Sequence, residues 1–96
     1  MGVNAVSFTL YQIGMMPGLP DRMVFEQENI TVGALFHFLS GKYGETILKE
    51  IMDKEGDLSE DVMFVLNGSI IKPSEILPVV IPPGGELLIS ALIAGG

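Results

Sequence analysis

The residues of this sequence best suited to chemistry are its last two, Gly95 and Gly96, which follow Ala94. Because glycine has no Cβ, a Gly-Gly end can enter a narrow channel in a partner enzyme and place its carboxylate beside a nucleotide phosphate without a steric clash. A free α-carboxylate is ionised at neutral pH and is a poor electrophile until it is activated, for example as an acyl-adenylate. We therefore expect Gly96 to be the reactive residue and Gly95 to give steric access to it.

The rest of the sequence offers no group that is suited to activating this carboxylate. There is no Cys and no phosphate-binding glycine motif, and the single histidine, His37, has no second ligand at a metal-binding spacing and is expected to face solvent. An acidic stretch lacks the order of ligands and glycine of a calcium loop, and we expect a solvated loop there that contains Glu55, Asp57, Glu60 and Asp61. We therefore expect a protein cosubstrate, not an enzyme, with no bound cofactor and no metal.

Charge and hydropathy exclude several other classes of protein. Twelve acidic and five basic residues give a net charge of −7, which opposes binding to nucleic acid. This charge favours a partner with a basic docking surface, or it serves only to keep the protein soluble. The uncharged run from Leu87 to Gly96 is about half of the roughly 20 residues that a membrane-spanning helix needs. Residues 1–6 lack the basic and apolar pattern of a secretion signal. We expect a cytoplasmic protein with no membrane segment.

The first third of the chain has the pattern of two strands. Between residues 3 and 13, Phe8 and Leu10 alternate with Thr9 and Tyr11, which is typical of a half-buried strand. Two glycines and two prolines in residues 14–21 predict a loop. Residues 23–26 form a second predicted strand, and the two strands are expected to pair as a hairpin.

One main helix is predicted after Thr31, which is a suitable N-cap. Its apolar face contains Val32, Leu35, Phe36, Leu39 and Tyr43. Gly41 and Gly44 weaken its end, and a further turn or two of helix is predicted over residues 47–52, with an end at Gly56 and Asp57. Phe38 lies off the apolar face, and we expect it to pack under a loop.

Three more strands are predicted in the second half. Residues 62–66 form an apolar strand, Asn67-Gly68 is a strong hairpin signal, and residues 69–71 form the returning strand. A connector with about one helical turn follows at 73–77, then a tight turn at 82–85 and a final strand at 87–92. This order predicts an α+β fold of the β-grasp type, with a mixed sheet of about five strands packed on one main helix. We expect one domain over residues 1–96, with a flexible tail at 93–96.

Five short segments in this order and spacing resemble those of one protein family. They are Ile30-Thr31-Val32-Gly33-Ala34-Leu35, Lys42-Tyr43-Gly44, Val65-Leu66-Asn67-Gly68, Pro83-Gly84-Gly85-Glu86-Leu87 and Ala94-Gly95-Gly96. Over nearly its whole length the chain resembles the MoaD/ThiS family of ubiquitin-like sulfur-carrier proteins. Leu92-Ile93-Ala94 stand where many MoaD-type chains have two prolines, so the pathway that receives the sulfur stays open.

The resemblance implies a defined reaction cycle. A ubiquitin-activating-type adenylyltransferase would use ATP to adenylate the carboxylate of Gly96, and a sulfur donor would displace AMP to leave a thiocarboxylate. The sulfur would then pass to molybdopterin, with the large subunit of molybdopterin synthase as partner, or to the thiazole of thiamine, with thiazole synthase as partner. Two alternatives remain, namely a ubiquitin-like modifier that is joined to lysines and a β-grasp domain that only binds other proteins.

The final strand is apolar on both faces, although one helix can cover only one of them. We expect the other face to be an exposed apolar patch that binds partners, or to be covered by a flanking loop. The residues predicted to bind partners are Leu88, Leu92, Ile93, Ala94 and Phe64.

Overall fold

In the part of the chain that the structure describes, five strands, one main helix and two short helical segments follow one another. The structure is a computed structural model, and it describes residues 7–27 and 29–91. In chain order the elements are strand β1 (Phe8–Gln12), strand β2 (Arg22–Phe25), helix α1 (Val32–Tyr43), a 3₁₀ helix (Glu45–Ile51), strand β3 (Val62–Leu66), strand β4 (Ser69–Ile71), helix α2 (Pro73–Ile76) and strand β5 (Glu86–Ala91). This order agrees with the prediction, and the bounds differ from it by a few residues.

The five strands form one mixed sheet in the order β2-β1-β5-β3-β4. β1 and β5 run parallel at its centre, and the other three pairs of neighbours are antiparallel. The last strand of the chain therefore lies between the first and the third. This arrangement confirms the predicted α+β class and the mixed five-stranded sheet.

The turn between β3 and β4 has the geometry that Asn-Gly favours. Asn67 and Gly68 have φ angles of 50° and 85°, and Leu66 pairs with Ser69 across this two-residue turn. Asn67 also fixes the start of β5, because its Oδ1 accepts a hydrogen bond of 2.8 Å from the backbone N–H of Glu86. One turn thus sets both the hairpin and its position against the central strand.

The start of α1 is capped by a side chain and by a distant segment. Thr31 Oγ1 accepts a hydrogen bond of 3.0 Å from the N–H of Ala34, as predicted for an N-cap. The N–H groups of Val32 and Gly33 donate to the carbonyls of Val79 and Leu77, both at 2.9 Å. The segment after α2, which the sequence indicates only as a connector, therefore supplies acceptors that a helix start lacks.

The core lies between α1 and one face of the sheet. Its fully buried members include Leu35 and Leu39 from the helix and Leu10, Phe64, Leu87 and Ile89 from the strands. Two predicted helix residues lie elsewhere. Tyr43 is 42% exposed at the helix end, and Phe38 is 40% exposed and packs edge-on against Phe25 of β2 instead of under a loop.

The 3₁₀ helix confirms the predicted turns after α1 but ends at Ile51, before Gly56 and Asp57. The reason is a separate turn organised by Asp53. Its Oδ1 accepts hydrogen bonds from the N–H groups of Glu55 and Asp57, at 2.9 and 3.0 Å. A side chain that binds backbone N–H groups in this way competes with helix continuation.

Gln12 is the only buried polar side chain within residues 7–27 and 29–91. Its Oε1 accepts hydrogen bonds from the N–H groups of Met15 and Met16, at 3.0 and 2.9 Å. Its Nε2 lies 3.0 to 3.3 Å from the carbonyls of Met16, Leu19 and Pro20. This one side chain therefore holds the loop between β1 and β2, and it lets Met15 and Met16 join the core.

Replacement of Gln12 by Leu should lower the free energy of unfolding by at least about 2 kcal/mol, because backbone groups of the loop would lose their partners in the interior. Urea unfolding followed by circular dichroism measures the change. The matched control is Gln27→Leu, at an exposed position, which should change stability by less than about 0.5 kcal/mol. Equal effects of the two substitutions would contradict the role given to Gln12.

Candidate functional site

The sheet face that points away from α1 carries a row of side chains that crosses all five strands. Tyr11 pairs with Leu88, Leu88 with Val65, and Val65 with Ile70. Arg22 of β2 continues the row on the other side of Tyr11. The pairing register therefore puts four apolar or aromatic side chains next to one another, with an arginine at one end.

Further apolar residues extend this row into a patch. Ile13 follows β1, and its N–H donates to the carbonyl of Ile89 at 3.1 Å, which brings it beside β5. Met63 pairs with Ser90 of the same strand. We call this patch the outer sheet face, and it consists of Tyr11, Ile13, Met63, Val65, Ile70 and Leu88.

The outer sheet face is accessible to a partner. Ile70 is 72% exposed and Ile13 is 64% exposed, while Tyr11, Val65 and Leu88 are half-buried by one another. An open depression of about 450 Å³ is lined by Tyr11, Val65 and Leu88, with Asp21 and Glu86 as its acidic members. Contiguous exposed apolar surface of this kind is the usual mark of an interaction site.

Of the residues predicted to bind partners, Leu88 lies on the outer sheet face and Phe64 does not. Phe64 is fully buried on the helix side, where its ring centroid lies 6.1 Å from that of Phe36. It pairs with Ile89, which also faces the core, so the prediction for Phe64 is wrong. Its neighbour Val65 is the β3 residue that faces outward beside Leu88.

The alternation along β3 explains why the prediction chose the wrong residue. All five residues of this strand are apolar, so the sequence does not indicate which of them face the helix. The pairing with β5 decides it, because Val65 lies opposite Leu88 and Phe64 lies opposite Ile89. The Asn67-Gly68 turn fixes the register of β3 against β4, but it does not indicate which face of this hairpin meets the helix.

The predicted reactive end follows β5 in the sequence. Leu92, Ile93, Ala94, Gly95 and Gly96 lie outside the described residues, and their roles stay predictions. The strand that precedes them ends at Ala91. Because β1 and β5 are parallel, this end of β5 lies at the same edge of the sheet as Ile13 and the loop held by Gln12.

The other candidates for chemistry are surface groups. His37 is exposed on α1, as predicted. Carboxylate oxygens of Asp53, Glu55 and Asp57 lie within 4.8 Å of one another, and all three residues are exposed. The turn that Asp53 organises accounts for this proximity. None of the helices described in the structure has the length and apolar character to cross a membrane.

Two solved structures of archaeal proteins match this arrangement of elements. SAMP1 from Haloferax volcanii superposes with a TM-score of 0.66 at 18% identity, over 94% of this chain and 99% of that one. The HVO 2177 protein of the same organism gives a TM-score of 0.68 at 17% identity, over 95% of this chain and 87% of that one. The chain has a ubiquitin-like β-grasp fold. At these identities the likeness establishes the fold alone.

Comparison by sequence does not identify a family for this chain. No protein-family model and no curated protein matches the chain. The structural likeness therefore supports the fold, whereas the resemblance to the MoaD/ThiS family rests on the short segments of the sequence and stays a prediction.

The two faces of the sheet should respond differently to substitution. Phe64→Ala should lower the free energy of unfolding by about 3–5 kcal/mol, since it opens a cavity next to Phe36. Ile70→Ser, on the outer sheet face, should change it by less than about 0.5 kcal/mol. Denaturant unfolding of both variants measures the difference, and a large loss for Ile70→Ser would mean that this face is part of the folded interior.

Proposed function

We propose that this protein is a sulfur carrier, a protein cosubstrate whose C-terminal glycine carboxylate, on Gly96, is activated by a partner enzyme. The outer sheet face is the docking surface for that enzyme, and Gly95 allows the end of the chain to enter its active site. The proposal combines the ubiquitin-like fold with the apolar surface and the Gly-Gly sequence.

The observation that carries this proposal is the position of β5. Leu88 is near the middle of the docking surface, and Ala91 ends the same strand three residues later. The five residues from Leu92 to Gly96 reach at most about 17 Å when fully extended. An enzyme that modifies Gly96 must therefore hold the protein close to the end of β5, and the outer sheet face is the apolar surface next to it.

The chemistry requires an external source of activation. An oxygen of the Gly96 carboxylate attacks the α-phosphorus of ATP in the active site of an adenylyltransferase of the ubiquitin-activating type, and pyrophosphate leaves. A sulfur donor then displaces AMP from the acyl-adenylate and leaves a thiocarboxylate. The carrier supplies the carboxylate and the docking surface, while ATP is bound and consumed by the partner.

The sulfur then passes to the precursor of a cofactor, and a biosynthetic enzyme carries out this transfer. The large subunit of molybdopterin synthase and thiazole synthase are the two partners that fit the segments shared with MoaD/ThiS chains. Either enzyme would have to hold the same short tail, so we propose that it uses the outer sheet face in turn, after the adenylyltransferase has left.

Intact-mass measurement tests the proposal. The protein is incubated with ATP, sodium sulfide and an adenylyltransferase of the ubiquitin-activating type from the same genome. We expect one oxygen of the C-terminal residue to be replaced by sulfur, and no change when Gly95 and Gly96 are deleted. Adducts on lysines of other proteins would instead assign the chain as a ubiquitin-like modifier. If neither product forms, the proposed chemistry is wrong.

The docking surface is tested with one substitution on each side of the sheet. Leu88→Ser should slow formation of the thiocarboxylate by about tenfold, since removing a central apolar anchor of an interface costs on the order of 1–2 kcal/mol. Tyr43→Ser, at an exposed position on the helix side, should leave the rate unchanged. If the two variants react at the same rate, the enzyme does not use the outer sheet face.

A further inference from the structure

An open groove of about 1070 Å³ lies on the helix side of the sheet, away from the outer sheet face. One wall is the loop between the 3₁₀ helix and β3, residues 52–61, and the other is the start of α2 with Leu77 after it. Phe36 of α1 lies at its base, where it packs on Phe64 of the core. The groove plays no part in the function proposed above.

The base of the groove is apolar. Leu48, Met52 and Leu58 line it and are only half-buried, although they pack against the core. Leu77 is 44% exposed at its edge. These side chains offer a partner apolar surface that the described part of this chain does not cover.

The rim of the groove is strongly acidic. Five carboxylates line it, from Asp53, Glu55, Asp57, Glu60 and Asp61, and all five residues are exposed. Among the described residues that line the groove, Lys72 on the opposite wall has the only basic side chain. A narrow stretch of the surface therefore holds five of the twelve acidic residues of the protein.

The acidic wall has a fixed shape. Besides the two hydrogen bonds to Asp53 Oδ1, the N–H of Asp53 donates to the carbonyl of Asp57 at 2.7 Å. Met52 and Leu58 form an antiparallel bridge, and the N–H of Ser59 donates to the carbonyl of Ile51 at 2.9 Å. The carboxylates are thus presented on an ordered loop that is tied to the 3₁₀ helix.

We propose that this groove binds a basic amphipathic segment of a partner protein. Apolar side chains of the segment would pack on Leu48, Met52 and Leu77, and its lysines or arginines would meet the carboxylates of the rim. Apolar contact with an oppositely charged rim gives both affinity and orientation. Nucleic acid is excluded as the occupant because its phosphates would be repelled.

The charge of this chain also excludes its own segments as occupants. Its five basic residues stand singly along the sequence, so a second copy has no basic segment to offer. Residues 92–96 carry no basic side chain and cannot complement the rim. The groove therefore fits a different protein, and that protein can bind while the outer sheet face is occupied, because the two surfaces lie on opposite sides of the sheet.

The probe for this proposal is a short synthetic helical peptide with leucines on one face and lysines on the other. Titration into the isotope-labelled full-length protein, followed by amide NMR shifts, should move the signals of residues 48–61 and 72–77. Those of Tyr11, Val65 and Leu88 should stay in place. A peptide with glutamates in place of the lysines should not bind, and the affinity of the lysine peptide should fall as salt is added.

Two variants test the two halves of the groove. The triple change Asp57→Asn, Glu60→Gln and Asp61→Asn removes three carboxylates of the rim but leaves Asp53 to hold the loop. It should weaken binding of the peptide about tenfold, which corresponds to the loss of three exposed ion pairs. Leu77→Ser should also weaken it, through loss of apolar contact. The matched control removes three exposed carboxylates outside the groove, by Asp21→Asn, Glu26→Gln and Glu86→Gln, and should bind nearly as well as the unchanged protein.

The control variant distinguishes binding of the peptide in the groove from a general electrostatic attraction between a basic peptide and an acidic protein. Equal weakening by both triple variants would mean that only net charge is sensed, and it would overturn the proposal. Shifts confined to the outer sheet face, or no shifts at all, would overturn it as well. Shifts of the acidic loop with calcium or magnesium ions alone, and none with the peptide, would assign the carboxylates to a cation instead.

Discussion

β5 lies at the centre of the sheet, and the rest of the structure depends on which of its side chains face the helix. Leu87 and Ile89 point toward α1 and are fully buried, so the alternate residue, Leu88, points the other way. The described part of the chain has one main helix, and it covers one face of the sheet. A strand that is apolar on both faces then leaves apolar surface on the second face, and pairing with β1 and β3 surrounds Leu88 with Tyr11 and Val65.

The pairing of β5 with β1 also joins the first and the last of the described strands. A parallel pair needs a long crossover, and here the crossover contains the helix and the β3-β4 hairpin. Its consequence for the proposed function is the position of the end of β5. Ala91 ends this strand near Ile13 and the loop that Gln12 holds, at the edge of the outer sheet face.

Local signals in the sequence predicted most of the elements. Thr31 as a helix cap and Asn67-Gly68 as a turn are determined by hydrogen bonds and φ angles of a few neighbouring residues, and both were confirmed. Distant contacts could not be predicted in this way. The carbonyls of Leu77 and Val79 meet the start of α1 only in the folded chain.

The candidate site could be predicted only in part, because the apolar run of β3 does not indicate which residues face inward. Leu88 was assigned to the surface and lies there, whereas Phe64 was assigned to it and lies in the core. The buried position of Gln12 did have a signal in the sequence. Gln12 continues the alternation of Phe8 and Leu10, and it therefore falls on the core face of β1. A polar residue at such a position indicates a buried hydrogen-bonding role.

We propose two binding surfaces on opposite sides of the sheet. The outer sheet face lies beside the strand that precedes the proposed reactive end, and we propose that its partner performs chemistry on that end. The acidic groove lies on the helix side of the sheet, and we propose that its partner only binds. Because the sheet and the core separate them, substitutions on one surface leave the other intact, so each role can be measured alone.

The proposed function depends on adenylation of the C-terminal carboxylate of Gly96 by a partner enzyme. Exchange of radiolabelled pyrophosphate into ATP, catalysed by the adenylyltransferase in the presence of this protein, reports formation of the acyl-adenylate directly. We expect exchange with the protein that has a free C-terminal carboxylate and none with a semisynthetic protein that has a C-terminal amide. Equal exchange with both proteins would contradict it, as would no exchange with either.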